Sequence, residues 1–241
     1  MHNIETSIAA RITANLERLE EKIEAACRRS GRERSEIALM GVTKFHSLET
    51  VEAGFGAGLK LFGENRVKEA NEKFTIFRET HGRDMAELHL IGSLQRNKAK
   101  TAAAFFDCIQ SVDRESLITE LGVLTEGREN PLMVLLEYHT GEESKAGFPD
   151  MDGLLRAAEK LLSFPGLKPA GLMTMAPYTE DTKAVRSSFR RLALARDELE
   201  KRFPKYWNCL SMGMTGDFEI AIEEGSTLLR IGTAIFGERL T

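Results

Sequence analysis

The sequence predicts an α/β protein, a single (β/α)8 barrel preceded by an N-terminal helix. Three observations support this fold class. Short apolar segments alternate with longer amphipathic ones, eight such apolar segments can be counted, and no Pro-, Gly- or Ser-rich linker interrupts the series. Short continuous apolar runs are typical of strands buried on both faces of a parallel sheet, and strands alternating with helices can close into a barrel of about 250 residues. An open, doubly wound sheet is the alternative.

Residues 1–30 are predicted to form the N-terminal helix that precedes the barrel. Apolar residues recur there at steps of three and four from Ile4 to Ile23, which lays one apolar stripe along a helix. Gly31 is a natural helix stop. We expect this helix to pack on the barrel, so that residues 1–241 form one domain. The segment is rich in glutamate and lacks a continuous apolar run, unlike a signal peptide.

The eight apolar segments are the predicted strands. In chain order they are Ile37–Val42, Leu59–Gly63, Leu88–Gly92, Phe106–Val112, Leu132–Tyr138, Pro169–Thr174, Trp207–Met212 and Leu228–Gly232. The amphipathic segments between them predict helices. Examples are Ser47–Ala57, Arg66–Glu79, Gly153–Ser163, Asp181–Arg202 and the short segment Asp217–Glu224.

Composition excludes several functional classes. The chain has 33 basic and 37 acidic residues, so no strongly basic field exists to hold nucleic acid or an anionic membrane. No apolar run approaches the roughly 20 residues that span a bilayer. The cysteines Cys27, Cys108 and Cys209 are far apart without a CxxC pair, which argues against a zinc site or a disulfide framework and favours the cytoplasm. The motifs GxGxxG, GxSxG and HExxH are absent.

The first predicted strand leads directly into Lys44. In α/β barrels the chemistry sits at the C-terminal ends of the strands, so this amine is placed at the barrel mouth. A lysine amine can condense with an aldehyde if its surroundings lower its pKa. The alternative is a surface lysine whose aliphatic side-chain carbons pack on the protein while its ammonium group stays in water.

Polar residues also follow the second and third strands. Asn65 could hydrogen-bond a ligand at the same mouth or cap the following helix. His89 could be an acid–base group, but an ordinary strand histidine is the simpler interpretation. Arg96, Lys98 and Lys100 could contact phosphate, although a solvated helix face is the simpler interpretation.

Two donor-rich loops follow the seventh and eighth strands, one over residues 211–216 and one at Gly232 and Thr233. Hydroxyl groups, glycine backbone and a helix N-terminus suit a phosphate, and barrels often bind phosphate after strands 7 and 8. Asp217 would repel a phosphate unless it points away or caps the helix. Arg230 lies within the apolar eighth strand, either inside the barrel or outside under the helices, and a charge there requires a partner.

Together these motifs resemble the YggS/PROSC family, the pyridoxal 5′-phosphate (PLP) homeostasis proteins. The matching segments follow one another in order from the first strand to the last. They are Gly41–Lys44, Phe62–Asn65, His89–Lys98, Glu143–Phe148, Gly171–Met175, Ser211–Asp217 and Arg230–Gly237.

The resemblance implies a barrel similar to the N-terminal domain of alanine racemase, which is fold type III among PLP proteins. It implies PLP held as an internal aldimine, a Schiff base, on Lys44, with Arg230 against the pyridine nitrogen. It implies no catalytic residue and no metal ligand. It implies phosphate contacts from the loop of Ser211, Met212 and Gly213 and from that of Gly232 and Thr233. From its position after the second strand, Asn65 is also expected to bind the cofactor.

The implied function is a PLP carrier or regulator. Known members are cytoplasmic, mainly monomeric and without established turnover, so the expected partners are PLP and apo-PLP enzymes, with no nucleic acid and no membrane. A PLP-dependent amino-acid racemase is the alternative. In alanine racemase a tyrosine from a separate C-terminal β domain opposes the lysine, and we expect that domain to be missing because the chain ends nine residues after Gly232. A phosphosugar enzyme with an imine on Lys44 is a third alternative.

Two positions depart from the family pattern. Family members usually carry a proline shortly after the lysine and often one in the third-strand motif, where this chain has the run Phe45-His46-Ser47 and Ser93. We expect altered loop geometry around the same cofactor. Lys145, in the motif Glu143–Phe148, is a candidate second site for PLP.

Overall fold

The computed structural model describes residues 2–141 and 146–238. Within them eight parallel strands form a closed barrel in which each strand pairs with the next and the last pairs with the first. In chain order they are β1 (Ala38–Val42), β2 (Leu61–Glu64), β3 (Glu87–Leu90), β4 (Cys108–Val112), β5 (Leu132–Glu137), β6 (Leu167–Met173), β7 (Cys209–Ser211) and β8 (Leu228–Ile231).

A long helix precedes the barrel, and helices follow its strands. They are α1 (His2–Ser30), α2 (Leu48–Gly56), α3 (Val67–His81), α4 (Ala99–Phe105), α5 (Glu115–Leu124), α6 (Met151–Leu162), α7 (Thr182–Arg202), α8 (Phe218–Glu223) and α9 (Thr233–Phe236). Of these, α4, α5 and α9 are not among the examples given above, although a helix start at Gly232 and Thr233 was expected, and α9 begins there.

Pairing of β1 with β8 closes the barrel. Leu39 lies opposite Leu229, and Met40 lies opposite Arg230. The barrel prediction is therefore confirmed, and the open-sheet alternative is wrong. Because all strands are parallel, their C-terminal ends meet at one mouth, and the loops after β1, β7 and β8 are neighbours there.

The core lies in two layers. The large cluster fills the space between the strands and the surrounding helices, with Trp207, Phe62 and Phe74 among its largest side chains. Two smaller clusters consist of residues from strands and the segments next to them, and they are centred on Met40 and on Cys108. They line the inside of the barrel, where polar side chains described below lie with them.

Helix α1 packs against α2, α8 and α9. Ile12 and Ile23 on its apolar stripe are fully buried, as the spacing predicts. The side chain of Asn15 donates to the carbonyl of Ile235 over 2.8 Å, which ties the helix to the last turn of the fold. Gly31 ends the helix in a left-handed conformation (φ 66°), as expected for a helix stop.

The third strand ends two residues earlier than the sequence pattern indicates. It stops at Leu90, and Gly92 lies in the loop beyond it. A Cβ on Gly92 would come within 2.3 Å of the carbonyl oxygen of Asn65, so only glycine allows the two backbones to approach this closely. The loop after β3 is thereby pressed onto the loop after β2.

Two further features concern the described part of the chain. None of its helices has the length and apolar character to cross a bilayer. In residues 2–141 and 146–238 there is also no group of three or more His, Cys, Asp or Glu side chains that could hold a metal ion.

The cysteines are expected to be unreactive in the native protein. Cys27 and Cys108 are buried, and burial raises the pKa of the Cys209 thiol to about 11. Fewer thiolates at pH 8, partly offset by their higher nucleophilicity, should make alkylation at least about tenfold slower than for an exposed cysteine. Iodoacetamide labelling followed by mass spectrometry measures this, with the urea-unfolded protein as the control. Native labelling as fast as that of free glutathione would contradict it.

Candidate functional site

Lys44 lies at the barrel mouth, two residues beyond β1, and is half-buried. The loop after β8 lies against the end of β1, because a Cβ on Gly232 would be 3.3 Å from the carbonyl oxygen of Val42. The closed barrel therefore brings the lysine to the same edge as the two donor-rich loops, as the sequence predicts.

The loop after β7 has a backbone that requires glycine. Gly213 has a φ of 97°, and a Cβ there would be 2.7 Å from the Cβ of Ala221. Its carbonyl accepts the N–H of Arg230 over 3.0 Å, which fixes the loop to β8. Met212, beside it, is fully buried and donates its N–H to Leu228, so its side chain belongs to the core that supports the loop.

The loop after β8 runs into α9 without a spacer. The N–H groups of Ile235 and Phe236 donate to the carbonyl of Gly232, so helical bonding begins at Ile235. The N–H groups of Gly232 and Thr233 precede Ile235 and belong to the first turn of α9. In the first turn of a helix the backbone N–H groups have no acceptor within the helix. Thr215 links this loop to the preceding one, since its Oγ1 accepts from the N–H of Ala234 over 3.3 Å.

Arg230 points into the barrel, which resolves the two orientations that strand alternation left open. Its guanidinium donates to Ser211 Oγ over 2.7 Å and to the carbonyl of Thr174 over 2.8 Å. Burial lowers the pKa of the Arg230 guanidinium, and the nearby charges of Asp217 and Glu137 oppose that shift. The arginine is thus a buried, fixed cation beneath the mouth.

A chain of hydrogen bonds continues from Arg230 across the interior. Ser211 Oγ donates to Gln110 Oε1 over 2.6 Å, and Gln110 Nε2 lies 2.8 Å from His89 Nδ1. His89 Nε2 in turn lies 3.3 Å from a carboxylate oxygen of Glu87. With the amide of Gln110 as donor, Nδ1 of His89 accepts and its proton resides on Nε2. His89 is therefore a hydrogen-bonded interior residue.

Ser211, the last residue of β7, has a second role that its place before the donor-rich loop does not reveal. Its hydroxyl is fully buried, accepts from Arg230 and donates to Gln110. The phosphate contact expected of this residue stays a prediction. Gln110 was not identified from the sequence, although a glutamine in the middle of the apolar run Phe106–Val112 is the signal that could have found it.

Asn65 is half-buried at the end of β2. The helix after it begins at Val67, and its N-cap is Arg66. The helix-capping alternative for Asn65 is therefore wrong, because the chain continues for one further extended residue. Its hydrogen bond to a ligand stays a prediction.

The carboxylate of Asp217 folds back into its own loop. Its Oδ1 accepts the N–H of Met214 over 2.5 Å, and burial raises the pKa of this carboxyl group. The side chain makes no capping hydrogen bond to α8. The negative charge that would oppose a phosphate is thereby bound within the loop.

The sequence offers four further basic candidates. Arg96, Lys98 and Lys100 are exposed, in agreement with a solvated face. Lys145 lies outside the described residues.

Comparison with known proteins gives concordant matches. The family model described as alanine racemase, N-terminal domain, matches residues 14–240. A pyridoxal phosphate homeostasis protein of Vibrio cholerae is 39% identical over 229 residues, 95% of this chain and 96% of that protein. The protein of the same name from Escherichia coli K12 is 38% identical over 232 residues, 95% of this chain and 97% of its own.

Solved structures agree with these matches. PipY of Synechococcus elongatus PCC7942, solved with PLP bound, is 30% identical with a TM-score of 0.81, covering 94% of this chain and 100% of its own. An alanine racemase of Clostridium difficile has a TM-score of 0.76 at 11% identity, covering 96% of this chain and 58% of its own, which is a likeness of fold alone.

Proposed function

Because this chain belongs to the family of pyridoxal phosphate homeostasis proteins, within the alanine racemase N-terminal domain fold, we propose that it binds PLP at the barrel mouth and acts in PLP homeostasis. The observation that carries the proposal is the meeting of Lys44 with the loops of Gly213 and Gly232 across the β1–β8 pairing. When bound, PLP supplies an aldehyde that condenses with a lysine amine.

The residues present fit the three parts of PLP. The loop at Gly213 and the start of α9 offer backbone N–H groups to a phosphate, and no Cβ projects from either glycine. Lys44 offers an amine from the neighbouring strand. Arg230 offers a buried guanidinium beneath the mouth for the ring nitrogen.

Each residue has a distinct part in holding the cofactor. Lys44 binds the aldehyde carbon covalently. Gly213, Gly232 and Thr233 hold the phosphate, with the backbones of Ser211 and Met212 supporting the first loop. Arg230 donates to the ring nitrogen, and Asn65 hydrogen-bonds the ring from the neighbouring strand end.

We propose a carrier or regulator and not an enzyme. A racemase needs an acid–base group on each face of its substrate, and a tyrosine usually opposes the lysine. The chain has three tyrosines. Tyr138 is buried in the layer between barrel and helices, Tyr206 precedes β7 at the opposite end, and Tyr178 is fully exposed. This placement supports binding without efficient turnover.

The remaining parts of the proposal follow from the family. We infer that the protein is one PLP-binding domain over residues 1–241, monomeric and cytoplasmic. It buffers PLP or passes it to apo-PLP enzymes.

Covalent attachment at Lys44 is expected to be found directly. Incubation with PLP, reduction with borohydride and peptide mass mapping should place a pyridoxyl group on Lys44. The Lys44→Ala variant should lose this label and keep part of its phosphate-dependent affinity. A label found on another lysine of the natural protein, with Lys44 unmodified, would reject the assignment.

A further inference from the structure

Helix α3 carries an ammonium group that is almost completely buried. The side chain of Lys73 is 10% exposed, and its Nζ lies 2.6 Å from Glu64 Oε1 and 2.9 Å from Glu69 Oε1. Glu64 is fully buried. A buried charge is retained only when it is paired and hydrogen-bonded, so this lysine is part of a built structure and not of a solvated surface.

The group faces the turn that carries Lys44. The N–H of His46 donates to the carbonyl of Thr43 over 3.0 Å, which makes Lys44 and Phe45 the two central residues of a β-turn. Phe45 has a φ of 64°. A positive φ at that position is normally taken by glycine or asparagine, so a phenylalanine there is strained and the turn needs contacts that hold it.

Helix α3 and the buried end of β2 provide those contacts. Lys73 Nζ donates to the carbonyl of Thr43 over 2.8 Å and to that of His46 over 3.0 Å, on either side of Lys44. Glu69 accepts the N–H of Phe45. Thr43 Oγ1 donates to Glu64 Oε1 over 2.7 Å. Thr43, Phe45 and His46 of the turn are thus bound to this charged cluster.

We propose that Lys73 is a positioning residue for Lys44: its buried ammonium fixes the turn from which Lys44 reaches the cofactor aldehyde. The inference rests on the proposed covalent attachment at Lys44. In that step the neutral amine attacks the aldehyde carbon, a C=N bond forms, and the two amine protons leave with the aldehyde oxygen as water. Holding two reacting groups in the right geometry accelerates their reaction, and a displaced turn loses that advantage.

The test separates attachment from binding in the full-length protein. Absorbance changes after rapid mixing with PLP give the rate of attachment. Equilibrium binding of pyridoxine 5′-phosphate, which has an alcohol in place of the aldehyde, gives the affinity without attachment. The variants are Lys73→Met, Lys73→Arg and the double variant Glu64→Gln/Lys73→Met. Lys68→Met is the matched control, since Lys68 lies on the same helix with 84% of its side chain exposed.

We expect Lys73→Met to slow attachment by between about tenfold and a hundredfold, which is what a misplaced reacting group produces. Affinity for pyridoxine 5′-phosphate should stay unchanged, and Lys68→Met should behave as the natural sequence. Lys73→Arg, which keeps the charge and the N–H donors, should recover part of the rate. If Lys73→Met does not fold because Glu64 is left unpaired, the double variant removes both charges and should show the same slow attachment.

An unchanged attachment rate in folded Lys73→Met or in the double variant would overturn the positioning role. So would a pyridoxyl group on Lys73 itself after borohydride reduction. Absence of any label on Lys44 in the natural protein is a different outcome, since it would reject the proposed function before the variants are compared.

Discussion

Pyridoxal, which lacks the phosphate group, is expected to bind this protein at least about a hundredfold more weakly than PLP. Hydrogen bonds to a charged group contribute roughly 1.5–3 kcal/mol each. Even at the lower value, two of them change the dissociation constant by more than a factor of about a hundred. The loops at Gly213 and Gly232 offer more than two backbone donors. Titration of the natural protein with both vitamers, followed by absorbance, measures the ratio.

Two glycines of one loop provide a matched pair for this prediction. Gly213→Ala places a Cβ 2.7 Å from the Cβ of Ala221 on a backbone of positive φ, so the loop must shift. Gly216→Ala adds a Cβ with no neighbour within 4 Å. We expect only the first substitution to weaken PLP binding, while pyridoxal binding stays the same in both. Equal dissociation constants for PLP and pyridoxal in the natural protein would refute a phosphate role for these loops.

Turnover is expected to be negligible even though amino acids should perturb the spectrum of bound PLP. An acidic partner keeps the pyridine nitrogen of PLP protonated, and the ring then accepts electrons from a substrate carbanion. Arg230 is a guanidinium, held by Ser211 and Thr174, and a positive partner disfavours a second positive charge on that nitrogen. A carbanion at the substrate α-carbon therefore gains little stabilisation.

Exchange of the α-hydrogen tests this prediction. PLP-loaded protein is incubated with L-alanine in deuterated water, and proton NMR follows the loss of the α-hydrogen signal. We expect no exchange beyond that caused by free PLP, which is the control. Exchange at enzymatic rates, on the order of 1–10³ per second, would replace the carrier by a racemase-like enzyme.

The sequence was sufficient to predict the barrel and to bring the candidate residues Lys44, Gly213 and Gly232 to one edge of it. Each of the eight apolar runs falls on a strand, because strands buried on both faces need a continuous apolar sequence. The proximity of Lys44 and Gly232 could be predicted, because closure of an eight-stranded barrel makes the first and the last strands neighbours.

Side-chain contacts between elements far apart in the chain could not be predicted from the sequence. Lys73 lies in an amphipathic helix, where a lysine usually faces solvent, and its partner Thr43 is 30 positions away. Gln110 contacts Ser211 across 101 positions. Arg230 could face either side of β8, because alternation along one strand does not say which side holds its hydrogen-bond acceptors.

The pairing of β1 with β8 has a consequence for how the protein matures. Lys44 follows the first strand, and the loops at Gly213 and Gly232 follow the last two, so the proposed site is incomplete in a partly synthesised chain. It assembles only when β1 and β8, the two strands farthest apart in the chain, have paired. A ligand that bridges both sides of this seam binds the folded chain and not the unfolded one, and thereby stabilises the folded state by mass action. The free energy of unfolding is therefore expected to rise with the concentration of PLP.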